Sequence, residues 1–279
     1  MSHSGELEEE GVPLEKAAVA GSSGKLWPLR DMRNAFGFFT IMPLSRAGTI
    51  GEIAGASYLL PFVAAFLGGL EGVTGWGSHQ VFGAPVSAAL VLAAALLLTG
   101  FHHSDGLADL GDALMVHGDP ARRIEVLKDR TMGIGAVGAL LLSYLISWAA
   151  ITEIITLRPG FELILSIMVV ELSARLCLLF VGSLGRPSHQ GSGSIFVNAL
   201  KGWRGMTGIV FTLVILAPMV LFLPYQAILF PVGAVVAAGI LLLLISRRFF
   251  GGIGGDVLGA SVELGRLAAL LGLLAGLTL

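Results

Sequence analysis

Charge and cysteine are both scarce in this 279-residue chain. Lys and Arg together number 17 and Asp and Glu 19, 13% of all residues, about half the ~25% of a soluble domain. With one cysteine, Cys177, there is no disulfide scaffold, and a formal net charge of −2 excludes a basic nucleic-acid-binding surface. An apolar content of 55% excludes a disordered chain. The few charges are also segregated: residues 1–52 hold 12 of the 36 and residues 105–130 hold 10, leaving 14 for the other 201 positions. A water-soluble globule has no such segregation. The composition predicts an all-α, polytopic membrane protein with its polar chemistry confined to a few stretches.

A helix crossing the hydrocarbon core needs roughly 20 mostly apolar residues. Seven stretches are predicted to cross: Ile53 to Leu70, Val81 to Phe101, Gly133 to Ile155, Leu163 to Leu184, Gly208 to Phe222, Ala227 to Ile245 and Val257 to Leu277. Lys and Arg collect in cytoplasmic loops. With the N-terminus inside, 14 of the 17 basic residues fall on the cytoplasmic side, Arg158 alone falls outside, and Arg175 and Arg266 lie within spans. The prediction is a multi-pass protein of the cell membrane with a cytoplasmic N-terminus.

Residues 1–24, with Glu6, Glu8, Glu9 and Glu10 and then Gly21 to Gly24, lack an apolar period and read as a disordered cytoplasmic tail. Residues 25–279 read as a single transmembrane catalytic domain. Its first part, Leu26 to Pro43, mixes aromatic and basic residues, as expected at the headgroup level.

The polar end of the second predicted span, from Thr99 to Asp112, is the most informative stretch. Asp105, Asp109 and Asp112 follow an i, i+4, i+7 spacing and share one helical stripe. Close like charges near a bilayer repel unless a cation neutralises them, so the spacing predicts a hard divalent metal held by oxygen. The other reading is a solvated cytoplasmic helix face. Asp129 and the cations Arg122, Lys128 and Arg130 follow within one short connection, and carboxylates for a metal beside cations for phosphate are what phosphoryl transfer requires. Gly106 and Gly111 would admit either a phosphate or a neighbouring helix.

A second acidic stretch, Gly251 to Glu263, opens the last span, with Asp256 and Glu263 again i, i+7 and glycines that expose backbone amides. Arg266 sits where it could neutralise Glu263. Glu171 and Arg175, an i, i+4 pair inside the fourth span, read equally as a structural ion pair or a substrate contact. Asn198, Lys201 and Arg204 could grip phosphate or face lipid headgroups. On an ideal helix His102 shares the face of Asp105 and Asp109, whereas His103 is turned away.

The stretch Thr99-Gly-Phe-His-His-Ser-Asp-Gly-Leu-Ala-Asp-Leu-Gly-Asp112 resembles the signature TGxxHxDGxADxxDG of the cobalamin (5′-phosphate) synthases, the adenosylcobinamide-GDP ribazoletransferases. The likeness continues through Arg122, Glu125, Lys128 and Asp129, and recurs at Phe38-Phe-Thr-Ile-Met-Pro43 and at Gly254-Gly-Asp-Val-Leu-Gly-Ala-Ser-Val-Glu-Leu-Gly265. Arg130-Thr131 stands where that family has Ser-Arg, and Ile41 where it has Arg.

The resemblance implies a membrane enzyme with the active-site logic of CDP-alcohol phosphotransferases, using Mg²⁺, with Mn²⁺ as a substitute. It would join α-ribazole or its 5′-phosphate to the cobinamide phosphate of adenosylcobinamide-GDP, with GMP leaving. Asp105, Asp109, Asp112 and Asp256 would hold the metal. Asp112, Asp129 or His103, the histidine that aligns with the family's, would act on the attacking hydroxyl. Arg122, Lys128 and Arg130, with Arg175, Lys201 and Glu263, would contact substrate. The partners implied are these two small molecules and the lipid bilayer, with no nucleic acid and with the oligomeric state left open.

Two competitors remain. A phospholipid-making CDP-alcohol phosphotransferase would carry DGxxAR, but Asp109 follows Asp105-Gly-Leu-Ala. A divalent-cation transporter would spread its acids along a path across the bilayer, whereas these gather at one face.

Overall fold

The computed structural model describes residues 28–44, 48–127 and 131–279, and they form helices joined by short connections, with no strand among them. The expected tail and the triplet Lys128, Asp129 and Arg130 lie outside the described residues. The helices are α1 (Pro28–Phe39), α2 (Ile50–Gly55), α3 (Leu60–His79), α4 (Ala84–Leu98), α5 (His102–Met115), α6 (Pro120–Leu127), α7 (Ile134–Leu157), α8 (Glu162–Leu184), α9 (Ser192–Leu200), α10 (Trp203–Leu216), α11 (Gln226–Phe250) and α12 (Gly255–Thr278). Six are long and apolar enough to cross a membrane: α7, α8, α11, α12, α3 with the 3₁₀ turn Ser57–Leu59 before it, and α10 with the 3₁₀ turn Ala217–Leu221 after it. The chain is a multi-pass membrane protein.

Helix α8 is the most enclosed span and packs against α3, α10, α11 and α12. Lipid tails offer no hydrophobic drive for helix association, so close packing depends on small residues at the crossings. On α3, a Cβ at Gly68 or Gly72 would come within 2.7 Å of the α8 backbone at Met168 or Ile164. Neither position has room for a larger residue. Leu60, Leu67, Ile167, Leu172, Leu179, Val262 and Leu270 are among the fully enclosed apolar side chains of the resulting core.

Two predicted spans are corrected. The apolar run from Ile53 is not yet the first span, because Thr49 and Glu52 form a capping box that starts the short α2, and the chain turns at Ala56 before α3 begins. Thr49 Oγ1 accepts from the Glu52 N–H at 3.3 Å and Glu52 Oε2 accepts from the Thr49 N–H at 3.2 Å. The second predicted span is likewise not one rod with the acidic stripe: α4 and α5 meet at 95°. α4 ends in a Schellman turn, in which the Gly100 N–H bonds to the Leu97 carbonyl and the Phe101 N–H to the Leu96 carbonyl, both at 3.0 Å. Gly100 and Phe101 both take left-handed backbone, at φ 60° and 59°. α5 therefore lies outside the six spans, and the bent α4–α5 pair adds a seventh only if its two helices count as one span.

Candidate active site

Helix α5 is clamped on two sides by glycine. A Cβ on Gly106 would lie 2.5 Å from the Asp256 carbonyl oxygen at the start of α12, and one on Gly111 would lie 2.6 Å from the Gly135 carbonyl oxygen on α7. The two glycines thus admit neighbouring helices rather than a phosphate. Tyr144 on α7 donates to Ser104 Oγ at 2.7 Å. At the far end Arg123 donates through Nη1 to the Ala113 and Leu114 carbonyls, at 2.8 and 3.2 Å, and its guanidinium lies 4.6 Å from the Phe249 ring centroid. It thereby caps α5 and ties it to α11.

These crossings predict an effect of their own. In an open helix position Ala is worth up to about 1 kcal/mol over Gly. At Gly106 the added methyl meets backbone that cannot rotate away, and overpacking of that kind costs about 1–3 kcal/mol. Gly106→Ala should lower the unfolding midpoint in detergent and cut turnover. Gly69→Ala, on α3 with nothing within 4 Å of its Cβ position, should do neither. Equal behaviour of the two variants would show that the α5–α12 crossing has slack to take up a methyl group.

A cavity of about 620 Å³ opens over the α5–α12 crossing, lined by His102, His103, Asp105 and Gly106 of α5 and by Gly255, Asp256 and Gly259 of α12. Ser192 and Gly193, the first residues of α9, line it too. The loop after α8 and the loop before α12 are held together there by a β-bridge between Pro187 and Ile253, with the Ile253 N–H donating to the Arg186 carbonyl at 2.7 Å and the Ser188 N–H to the Ile253 carbonyl at 3.1 Å. Two helix N-termini consequently face one space, and N-terminal amides favour anions.

The charges at this crossing are mostly of one sign. Burial, and then the charges of Asp105, Asp256 and Asp112, push the Asp109 carboxyl up to about 7. Carboxylate oxygens gathered at one crossing suit a hard divalent cation. Among the described residues no group of three or more His, Cys, Asp or Glu side chains is placed to hold a metal ion. Both oxygens of Asp112 are engaged elsewhere, Oδ2 accepting from the Gly133 N–H at 2.6 Å and Oδ1 from the Ala136 N–H at 2.8 Å. Asp112 caps α7, whose own N-cap residue is a glycine.

His103 is 2% exposed, lines the cavity, and has no hydrogen-bond partner for either ring nitrogen among the described residues. Burial, followed by the nearby Arg175, His102 and Arg266, holds its pKa well below the usual imidazole value, so it is neutral. Burial also lowers His102, against the opposing pull of Asp105. The bend before α5 resolves the disagreement over the histidines, because both reach the cavity.

The other expected contacts do not line this cavity. Arg175 and Glu263 lie inside the bundle, each ion-paired there. Arg122 pairs with Glu125 at 2.8 Å on the exposed surface of α6, and Lys201 is exposed beyond the end of α9. Sequence reasoning misses three residues, Arg123, Phe101 and Phe196, which owe their positions to tertiary packing.

The chain matches the cobalamin-5-phosphate synthase family over residues 31–274. It is 31% identical over 258 residues to an adenosylcobinamide-GDP ribazoletransferase of Methanococcoides burtonii, covering 90% of this chain and 93% of that one. With the protein of the same description from Methanosarcina mazei it is 30% identical, covering 87% and 91%, and with that from Halorubrum lacusprofundi 34% identical, covering 87% and 95%. No solved structure matches it.

Proposed function

The chain belongs to the cobalamin-5-phosphate synthase family, and from that premise we propose that its cavity transfers the adenosylcobinamide-phosphate group of adenosylcobinamide-GDP to α-ribazole or α-ribazole 5′-phosphate. The ribose 3′-hydroxyl forms the new O–P bond to the phosphate nearest cobinamide, the P–O bond to GMP breaks, and the hydroxyl proton is released. The products are adenosylcobalamin or its 5′-phosphate and GMP. The observation that carries this reading is the convergence on one cavity of Asp105, Asp256, two helix N-termini and His103, whose ring nitrogens have no partner among the described residues.

The N-termini of α9 and α12 are suited to holding the diphosphate. Asp105, Asp109 and Asp256 are the residues that would hold Mg²⁺, or Mn²⁺ in its place. When bound, such an ion would neutralise charge developing on the leaving phosphate. His103, neutral and buried, is suited to accept a hydrogen bond from the attacking hydroxyl and orient it, since burial and the nearby arginines disfavour its protonation. Asp112 positions α7 and, through it, the far side of α5. A membrane-fraction assay with adenosylcobinamide-GDP and α-ribazole phosphate should release GMP, and chelation of divalent cations should stop it. Release unaffected by chelator would remove the metal, and no release would remove the reaction.

We place the N-terminus and this site on the cytoplasmic side, with α4 as a seventh crossing from which α5 bends away, because that topology puts 14 basic residues inside and one outside. Single reporter cysteines at Ser188 and Arg158, in a chain lacking Cys177, provide the check. Position 158 should label from outside intact cells and position 188 should not; the reverse would invert the topology.

A further inference from the structure

The cavity that Asp105 and Asp256 line also carries aromatic rings for which the proposed reaction has so far given no use. Phe101 is the one non-glycine residue with positive φ among the described residues, at φ 59° and ψ 11°. A Cβ makes that conformation unfavourable, and Gly or Asn would hold the same elbow with less strain. Strain of this kind persists where the side chain is needed. The Phe101 ring is 50% exposed and lines the cavity.

Phe38 and Phe196 line the same cavity, with ring centroids 5.5 Å apart and planes tilted by 31°. The edge of Phe38 meets His102 at 5.0 Å, and Phe39 lies parallel to the His103 ring, 6.3 Å away with 7° between planes. Phe38 and Phe39 are placed by α1, which is anchored by Arg30 to Glu52 at 3.1 Å and by the Tyr58 hydroxyl donating to Asp31 at 3.0 Å. Phe196 comes from α9. Three separate elements thus bring rings to a cavity that carboxylates and helix N-termini also line.

We propose that Phe101, Phe38 and Phe196 form a subsite that stacks the flat heteroaromatic base of a nucleoside, with His103 hydrogen-bonding to its edge or its sugar. A nucleotide matches this mixed lining, since it joins a planar ring to a polar sugar and phosphate. His103 supplies the independent sign of a ligand, as a buried imidazole that lines the cavity and has no hydrogen-bond partner for either nitrogen among the described residues. The inference rests on the reaction proposed above, in which both substrates carry a nucleoside, and it adds where a base is held. The base is either the guanine of the donor or the benzimidazole-type base of the ribazole acceptor.

The test uses the full chain in detergent, with guanosine and α-ribazole as phosphate-free probes and ribose 5-phosphate as a probe without a base. At least one nucleoside should raise the unfolding midpoint of the parent protein, and which one does so identifies the source of the base. Phe101→Gly and Phe196→Leu should each weaken that nucleoside about tenfold or more, the scale of one lost base stack. In turnover the KM for the matching substrate should rise by a similar factor, with a smaller change in kcat. Phe101→Tyr should bind as the parent does. Without ligand, Phe101→Gly should unfold no earlier than the parent, because glycine relieves the left-handed backbone.

Variants that bind both nucleosides as the parent does would overturn the subsite, as would a midpoint shift given equally by ribose 5-phosphate. If neither nucleoside binds but GMP is still released from the natural substrate pair, the subsite falls and the reaction stands. If a nucleoside binds, the variants lose it and no turnover occurs, the subsite stands and the reaction falls.

Discussion

Asp105→Asn should reduce GMP release by about 10³-fold or more while the protein inserts and accumulates as the parent does. The substitution keeps the size of an exposed side chain lining the cavity and removes one negative charge. If Asp105 holds a divalent cation against the diphosphate, losing it forfeits several kcal/mol of transition-state stabilisation, and each ~1.4 kcal/mol is tenfold in rate. Folding stability should move the other way. Asp105 is among the charges that push the Asp109 carboxyl up, so its neutral replacement relieves repulsion, and the midpoint in chelator should not fall. Added Mg²⁺ should raise the parent's midpoint, since a ligand that binds only the folded state stabilises it. That shift should shrink in Asp105→Asn and in Asp256→Asn. Because the two residues come from helices crossing at Gly106 and Gly259, the double variant should lose little more than either single one. Additive losses would mean two separate sites, and near-parental turnover in Asp105→Asn would remove it from any metal site.

How far the fold is legible in the sequence depends on how local each feature is. A span is a local property, because every residue of a 20-residue apolar run contributes to the same signal. α7, α8, α11 and α12 accordingly begin and end within a few residues of the predicted limits, except where α11 continues through Arg247 and Arg248 to Phe250. Hydropathy fails at Ile53 because the run stays apolar through the break between α2 and α3. The capping pair Thr49 and Glu52 is the available signal, and it is polar.

The acidic stripe is legible as a helix face, and α5 does carry all three aspartates. Its direction is not legible, because Thr99-Gly-Phe can continue a helix or end one, and the 95° bend rests on two left-handed residues. Nor is the role of Asp112, which depends on the amides of an α7 that begins 22 residues later. Spacing places it among ligands, whereas packing places it at a helix cap. Arg175 and Glu263 keep the partners that spacing gives them on their own helices, Glu171 and Arg266, and what spacing does not show is the ion pair between Glu171 and Arg266 that runs from α8 to α12.

Glu171→Leu should destabilise the fold by more than Gly106→Ala or either aspartate substitution. Glu171 is fully enclosed on α8, with Oε1 accepting from Arg266 Nε of α12 and Oε2 accepting from Arg175 Nη1 at 2.9 Å. Arg266 in turn donates through Nη1 to both Glu263 oxygens, at 2.9 and 2.8 Å. Glu171 therefore joins two arginines inside the span bundle, where water cannot replace it. Nε and Nη2 of Arg175 already lack hydrogen-bond partners among the described residues, so losing Glu171 would take from that guanidinium the carboxylate that neutralises it. Removing one partner of a buried pair costs about 3–5 kcal/mol, mostly because the remaining charge is stranded. Replacing both by apolar residues is often close to neutral. Glu171→Leu combined with Arg175→Leu should therefore unfold at a higher midpoint than Glu171→Leu alone, although it deletes more contacts. Glu171→Gln should fall between the parent and Glu171→Leu, because an amide keeps an acceptor for one arginine but no charge. Arg266 retains Glu263 in every variant, so the α8–α12 packing should weaken without coming apart. A double variant less stable than Glu171→Leu would mean that Arg175 contributes through packing rather than through its charge.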